Sequence, residues 1–176
     1  MSGDITPEHI VLFGARILRA ECEAVEVFDE ALHREIDIMA VTLKACQGGA
    51  ALAAPQISIR KRITVIDYMK QYLELVNPVI LEQSGSVLDF EGCLSMPSWS
   101  GRVERARRVK VRYQDRHGEF HEMTAENEMA RCLQHEIDHL EGILYIDRMT
   151  DEFVLNFETE EGIDVMKLIQ YTKRLA

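Results

Sequence analysis

The chain has 176 residues, enough to bury a sizeable core without disulfide staples, and the length favours one domain over residues 1–176. Apolar residues make up 47% and charged residues 28%, the balance of a globular protein. A formal net charge of -10 argues against nucleic acid and against an anionic membrane surface, whose phosphates would be repelled.

The opening Met1-Ser2-Gly3-Asp4 has no basic segment followed by an apolar run, and it is not Arg-rich. No stretch has the length of a membrane-spanning helix. The expected location is therefore cytoplasmic. Residues 28–46 read as an amphipathic helix, with Leu32, Ile36, Met39 and Leu43 on one face and Gly48 and Gly49 ending it. Ile63 to Ile66 form a β-branched strand, and residues 72–80 a second, with a break in pairing at Asn77-Pro78. Val109, Val111 and Tyr113 alternate with polar residues as in a half-buried strand. His117-Gly118 turns the chain into another strand over 119–123. Over 126–141, Met129, Leu133, Ile137 and Leu140 recur at helical spacing, and Gly142 stops that helix. A last helix follows Gly162, with Val165, Met166, Leu168 and Ile169 as its apolar face. The order, helix, several strands, helix, short strand, helix, predicts an α+β fold with mostly antiparallel sheets wrapped around the second helix and a C-terminal helix closing the chain.

The second helix carries His135-Glu136-Ile137-Asp138-His139, an HExxH motif. Histidines four apart stand on one helical face, roughly 5–6 Å apart, so both imidazoles can reach one ion. Glu136 projects beside them, where a carboxylate can take a proton from water at the ion. The bland reading is a helix with two surface histidines. The stripe of Leu133, Ile137 and Leu140 speaks against it, because it buries the neighbouring side. A catalytic ion needs a third protein ligand and an open position. Downstream, Glu141, Glu152, Glu158, Glu160 and Glu161 are available. Upstream, Cys93 in Glu91-Gly92-Cys93-Leu94-Ser95 is the better candidate. Its thiolate with two imidazoles suits Zn(II) or Fe(II), and the flanking Gly and Ser suggest a tight, exposed turn. Cys22, Cys46 and Cys132 form no CxxC pair with it and read as reduced thiols.

Three ordered segments together resemble the peptide deformylases. They are Gly49-Ala50-Ala51-Leu52-Ala53-Ala54-Pro55-Gln56, then Glu91-Gly92-Cys93-Leu94-Ser95, then Gln134-His135-Glu136-Ile137-Asp138-His139. The likeness runs from about residue 30 to about residue 148. It implies a hydrolase of protein biosynthesis that prepares N-terminal methionine by removing its formyl group as formate. By this resemblance Cys93, His135 and His139 hold one divalent metal, usually Fe(II), with Ni(II), Co(II) or Zn(II) tolerated. Glu136 moves the proton, and the Leu94 N–H with the Gln56 amide stabilises the oxyanion. Glu91 helps to order the site. The formylated nascent chain adds as a strand along Gly49, Ala50, Ala51 and Leu52 and along Gly92 to Leu94. Its methionine side chain enters a pocket near Ala50 and Cys132.

Several substrate-facing positions depart from that pattern. Ala51 stands where the family has a second glycine, and Glu128 where it has Leu or Phe. Ser100 replaces a frequent arginine and Glu104 a common proline, and Leu12-Phe13-Gly14-Ala15-Arg16 lacks a proline-containing segment. Glu128 is expected to pair with Arg131 at i, i+3; the alternative is an acidic pocket wall. These departures raise a specialised deformylase as the alternative, beside a zincin-like endopeptidase with a downstream glutamate ligand and a non-catalytic binder. Lys167, Lys173 and Arg174 on the last helix offer a weak ribosome contact, with a solvated face as the plainer reading.

Overall fold

The computed structural model describes residues 5–175, so the reading of the first four residues lies outside it. In chain order the elements are α1 (Glu30–Ala45), β1 (Ala51–Ala53), β2 (Ile63–Tyr68), β3 (Gln71–Ser84), β4 (Val87–Cys93), β5 (Met96–Arg105), β6 (Arg108–Gln114), β7 (Phe120–Glu126), α2 (Asn127–Leu140), β8 (Phe153–Asn156), β9 (Gly162–Asp164) and α3 (Val165–Arg174). The class is α+β, as the pattern predicts.

Helix α1 starts two residues later than its apolar pattern because Asp29 caps it, its carboxylate accepting from the Leu32 N–H at 3.0 Å. Leu32, Ile36, Met39 and Leu43 are buried and pack with Leu52, Ile63 and Val65. One antiparallel sheet has the order β1-β2-β3-β6-β7. Asn77-Pro78 does not end β3, which runs on to Ser84. The break is instead a register shift against β6 between Val76 and Val79. Asn77 takes a left-handed backbone (φ 50°), and its side chain bonds both the N–H and the carbonyl of Val25 and reaches Gln114. The irregular step is thus stitched to the segment before α1.

In the second sheet, β4-β5-β8-β9, the short strand expected after α2 is present as the β8–β9 pair, while β4 and β5 have no counterpart in the sequence reading. Strand β4 inverts the usual alternation: Leu88 and Phe90 face water while Glu91 is buried. Only a short turn at Leu94 and Ser95 separates β4 from β5. The turn is as expected, but Ser95 is buried and Cys93 and Leu94 are half-buried, so it is not exposed.

Helix α2 lies between the two sheets. Met129, Ala130, Leu133 and Ile137 pack on the first sheet with Ile66, Leu75, Val109 and Val111. The opposite flank meets the second sheet through charge: the Arg131 guanidinium donates to the Val103 and Val87 carbonyls at 2.9 and 2.8 Å. Helix α3 is capped by Asp164 and held by Arg19, which donates to Thr172 Oγ1.

Ile36 is fully buried at the centre of the α1 face. Ile36→Ala is expected to cost about 2–5 kcal/mol by loss of contacts and the cavity left behind. Phe120→Ala, at a side chain 69% exposed, is expected to change stability by no more than about 0.5 kcal/mol. Denaturant midpoints at constant m check both.

Candidate metal centre

Helical pitch puts His135 and His139 one turn apart, their ring centroids 5.0 Å from each other. The end of β4 brings Cys93 to them: its Sγ is 3.3 Å from His139 Nε2. Ligand atoms of Cys93, His135 and His139 all lie within 4.8 Å of one another. Three of the downstream glutamates are engaged elsewhere. Glu141 takes Arg62, Glu158 takes Ser98 Oγ, and Glu161 takes Thr159.

Two features fit this trio to a metal. Glu91 accepts from His135 Nδ1 at 2.9 Å, which places a proton on Nδ1 and leaves Nε2 as the nitrogen that can bind an ion. Beside the trio, Glu136 Oε2 is buried and has no hydrogen-bond partner among the described residues. A buried acceptor of this kind calls for a donor in the cavity, the role of a water at the ion. Burial pushes Glu136 up to about 7, outweighing the attraction of His135. Burial also pushes His139 well below the ordinary histidine value, with the charges of His135 and Arg105 adding to it, so it stays a neutral ligand.

Glu91 is the hub of the centre. It accepts from Arg105 Nε and Nη2 at 2.7 and 2.9 Å, from Arg131 Nη1 at 2.9 Å and from His135. Burial alone would raise it, but the hydrogen bonds of Arg105 and His135 hold it well below the carboxylate range. Arg105 also binds Asp138, which accepts from Arg148 Nη2 at 2.7 Å. Arg131 is therefore spent on Glu91 and backbone carbonyls. The expected Glu128–Arg131 pair does not form, and Glu128 stands exposed on the cleft wall.

Gln56 sits in a short 3-10 turn, Ala54–Ile57, directly after β1. Its Oε1 accepts from the Ala53 N–H at 2.8 Å, and its Nε2 donates to Ser95 Oγ at 3.2 Å and lies 3.5 Å from Cys93 Sγ. The amide is thus pinned with its donor end toward the thiol. The segment before α1 braces this arrangement, as Val11 and Phe13 donate backbone N–H groups to the Gln56 and Ser95 carbonyls at 2.9 Å.

Cys93 and His135 of the trio line a cleft of about 550 Å³, with His139 buried behind them. One wall is Gly49, Ala50 and Ala51, and the facing wall is Glu91, Gly92, Cys93 and Leu94. Cys132, Glu128, His135 and Glu136 come from α2, and Gln56 closes one end. Burial pushes the Cys132 thiol up, so it lines the cleft as a neutral group. Leu52 is the exception among the expected residues. It is fully buried in the α1 core and offers no side chain to the cleft. Ala51 belongs to the apolar cluster under α2, so its methyl is absorbed as core. Glu104 accepts from the Ser86 hydroxyl across β4 and β5.

Sequence reasoning missed Arg105, Arg131 and Asp138 as site-builders, and Pro97, Trp99 and Phe157 as cleft residues. A signal for the first group was present. Arg131 precedes His135 by four and Asp138 follows it by three, so they share the ligand face of the helix.

A model of the polypeptide deformylase family matches residues 7–153, beyond the 30–148 span of the motif likeness. The peptide deformylase of Heliobacterium modesticaldum is 46% identical over 143 residues, covering 81% of this chain and 94% of that one. That of Desulfitobacterium hafniense is 45% identical over 139 residues, covering 79% and 92%. Among solved structures, a peptide deformylase from Thermotoga maritima matches with a TM-score of 0.80 and 40% identity, covering 82% of this chain and 99% of that one. A class I type b peptide deformylase from Acinetobacter baumannii, bound to Met-Ala-Ser, matches with a TM-score of 0.77 and 34% identity, covering 83% and 100%. The chain belongs to the polypeptide deformylase family.

Proposed function

We propose that this chain, acting as one catalytic domain over residues 1–176, removes the formyl group from formyl-methionyl peptides of nascent proteins and releases formate. The observation that carries this reading is the trio Cys93, His135 and His139 with the unpartnered carboxylate of Glu136 beside it. The Met-Ala-Ser held by the Acinetobacter baumannii relative is the kind of product such a reaction leaves.

Cys93, His135 and His139 would hold the metal, and Fe(II) is the ion we assign in cells, with Zn(II), Ni(II) or Co(II) as substitutes. A divalent ion there supplies acidified water at neutral pH and polarisation of the formyl carbonyl. Glu136 takes the water proton and delivers it to the leaving nitrogen. The Gln56 amide, already turned toward Cys93, donates to the carbonyl oxygen with the Leu94 N–H as it gains charge. The peptide backbone adds as a strand between β1 and β4, and its first side chain lies against Cys132, with Glu128 at the lip. Among the described residues, no helix is long and apolar enough to cross a membrane. We place the reaction in the cytoplasm, where formylated chains are made. Lys173 lies 3.9 Å from Asp147, and a solvated face accounts for the basic residues of α3 without a ribosome.

Cys93→Ala is expected to abolish stoichiometric metal binding, measured by elemental analysis after anaerobic purification. Glu136→Ala is expected to keep the metal and lose on the order of 10²–10⁴-fold in kcat on formyl-Met-Ala-Ser. Metal retained by the first variant would return the third ligand to a glutamate.

Burial holds Glu136 up to about 7 and a bound cation would draw it down, so its acid limb lies below pH 7. kcat/KM is therefore expected to fall as pH drops through that limb, because the base becomes protonated. A rate that rises toward acid would exclude Glu136 as base.

Glu91→Ala is expected to cost about 3–5 kcal/mol, since it leaves buried arginines uncompensated. It should also weaken metal affinity about 10–100-fold through His135. The folded pKa of Glu91 lies below its unfolded value, so its stabilisation is complete above the unfolded pKa and is lost as pH falls through the folded one. Acid unfolding of the wild type should be correspondingly steeper than that of Glu91→Gln.

A further inference from the structure

The β8–β9 hairpin lies almost wholly past residue 153, where the family match ends, yet it reaches the mouth of the cleft. β8 pairs with β5 through Trp99↔Asn156 and Ser100↔Leu155. The next residue, Phe157, donates its N–H to the Ser98 carbonyl at 3.0 Å. The turn behind it is tied down as well. The Asn156 side chain accepts from the Glu158 and Thr159 N–H groups at 2.9 and 3.0 Å, and Ser98 Oγ donates to Glu158 at 2.8 Å. Phe157 so fixed lines the cleft with Pro97, Ser98 and Trp99, while 69% of it remains exposed.

An aromatic ring held in water on a tethered backbone, at the rim of a peptide cleft, offers area that a ligand side chain can cover. Trp99 lines the same cleft and is half-buried against the core cluster of Met96, Val103 and Tyr145. The one arginine lining the cleft, Arg131, is buried against Glu91 and is not available there. The reacting groups stand deeper, at Cys93, His135 and Glu136. A peptide leaving them between β1 and β4 meets this rim with a later residue, not its first.

We propose that Phe157 is a specificity-determining residue: its ring forms an apolar wall that takes a large apolar side chain at the second or third position of the peptide. The inference rests on the deformylase reading and adds a substrate preference to it.

The test uses the metal-loaded full chain and formyl-Met-Xaa-Yaa peptides, with Ser, Leu or Phe placed at Xaa and Yaa one at a time. The wild type is expected to prefer Leu and Phe over Ser at one of the two positions by about tenfold in kcat/KM, mainly through KM. Phe157→Ala should bring that ratio close to one by raising KM for the Leu and Phe peptides, and Phe157→Leu should keep most of it. An unchanged ratio in Phe157→Ala overturns the proposal, as does a wild type without preference at either position. Binding gives a second measurement free of turnover. Trp99 is the only tryptophan, so its emission reports titration with Met-Ser-Phe, Met-Phe-Ser and Met-Ser-Ser. Tighter binding of an aromatic peptide that is lost in Phe157→Ala supports the wall, and equal affinities overturn it. Inertness on every formyl-peptide would sink the deformylase reading, and the titration would still decide the wall.

Discussion

A carboxylate at 4% side-chain exposure, Glu91, is the constraint on which the rest of the centre depends. Burying such a charge is expensive unless it is paired and fully hydrogen-bonded. Here donors arrive from Arg105 on β5 and from Arg131 and His135 on α2, while Glu91 itself belongs to β4. One anion therefore fastens the second sheet to the central helix. The same contact fixes the His135 ring and its proton, so Nε2 faces the cavity. Holding the fold together and preparing the metal ligand are one interaction.

That arrangement explains why α2 can be buried on nearly every side. One flank is apolar and packs on the first sheet, while the other is charged and satisfied by the second. Arg105, Asp138 and Arg148 extend the network away from the cleft, and an equally large polar hollow lies on their far side. The hollow contains none of the trio. The metal chemistry therefore sits on the face of Glu91 that meets His135, and the arginine face serves to keep the carboxylate charged.

Strands β2, β3, β6 and β7 and the three helices were legible because their residues obey simple periods, whereas β1 was not read and Met166, expected on the apolar face of α3, stands exposed. Leu32, Ile36, Met39 and Leu43 bury one helical face, and Val109, Val111 and Tyr113 alternate along β6. Of the second sheet, β4 and β5 were not legible, for a physical reason. β4 turns Leu88 and Phe90 to water and Glu91 inward, the reverse of the rule that finds strands. The metal trio was readable from residue chemistry, since two histidines at helical spacing and a thiolate need no tertiary detail. Arg131 was misassigned because a pairing rule for exposed helices offered it Glu128. Burial instead offered it a carboxylate 40 residues away, together with two backbone carbonyls.

Of the positions read as departures from the family pattern, Ala51 and Glu128 line the cleft and Glu104 the other hollow, and none belongs to the metal trio, Glu136 or Gln56; the cleft wall and the centre differ in what a substitution costs. Around Glu91 each group satisfies another buried group, so exchanging one strands a charge. At the rim, side chains meet water on one side and can change without such a debt. Ala51 marks the boundary: its methyl is taken up by the apolar cluster beneath α2, so the strand that faces the peptide keeps its place. Phe157 lies beyond it, on a hairpin whose hydrogen bonds are local to Ser98, Asn156 and Glu158. An element tied only to its neighbours can alter which peptides are held without disturbing how the formyl group is cut.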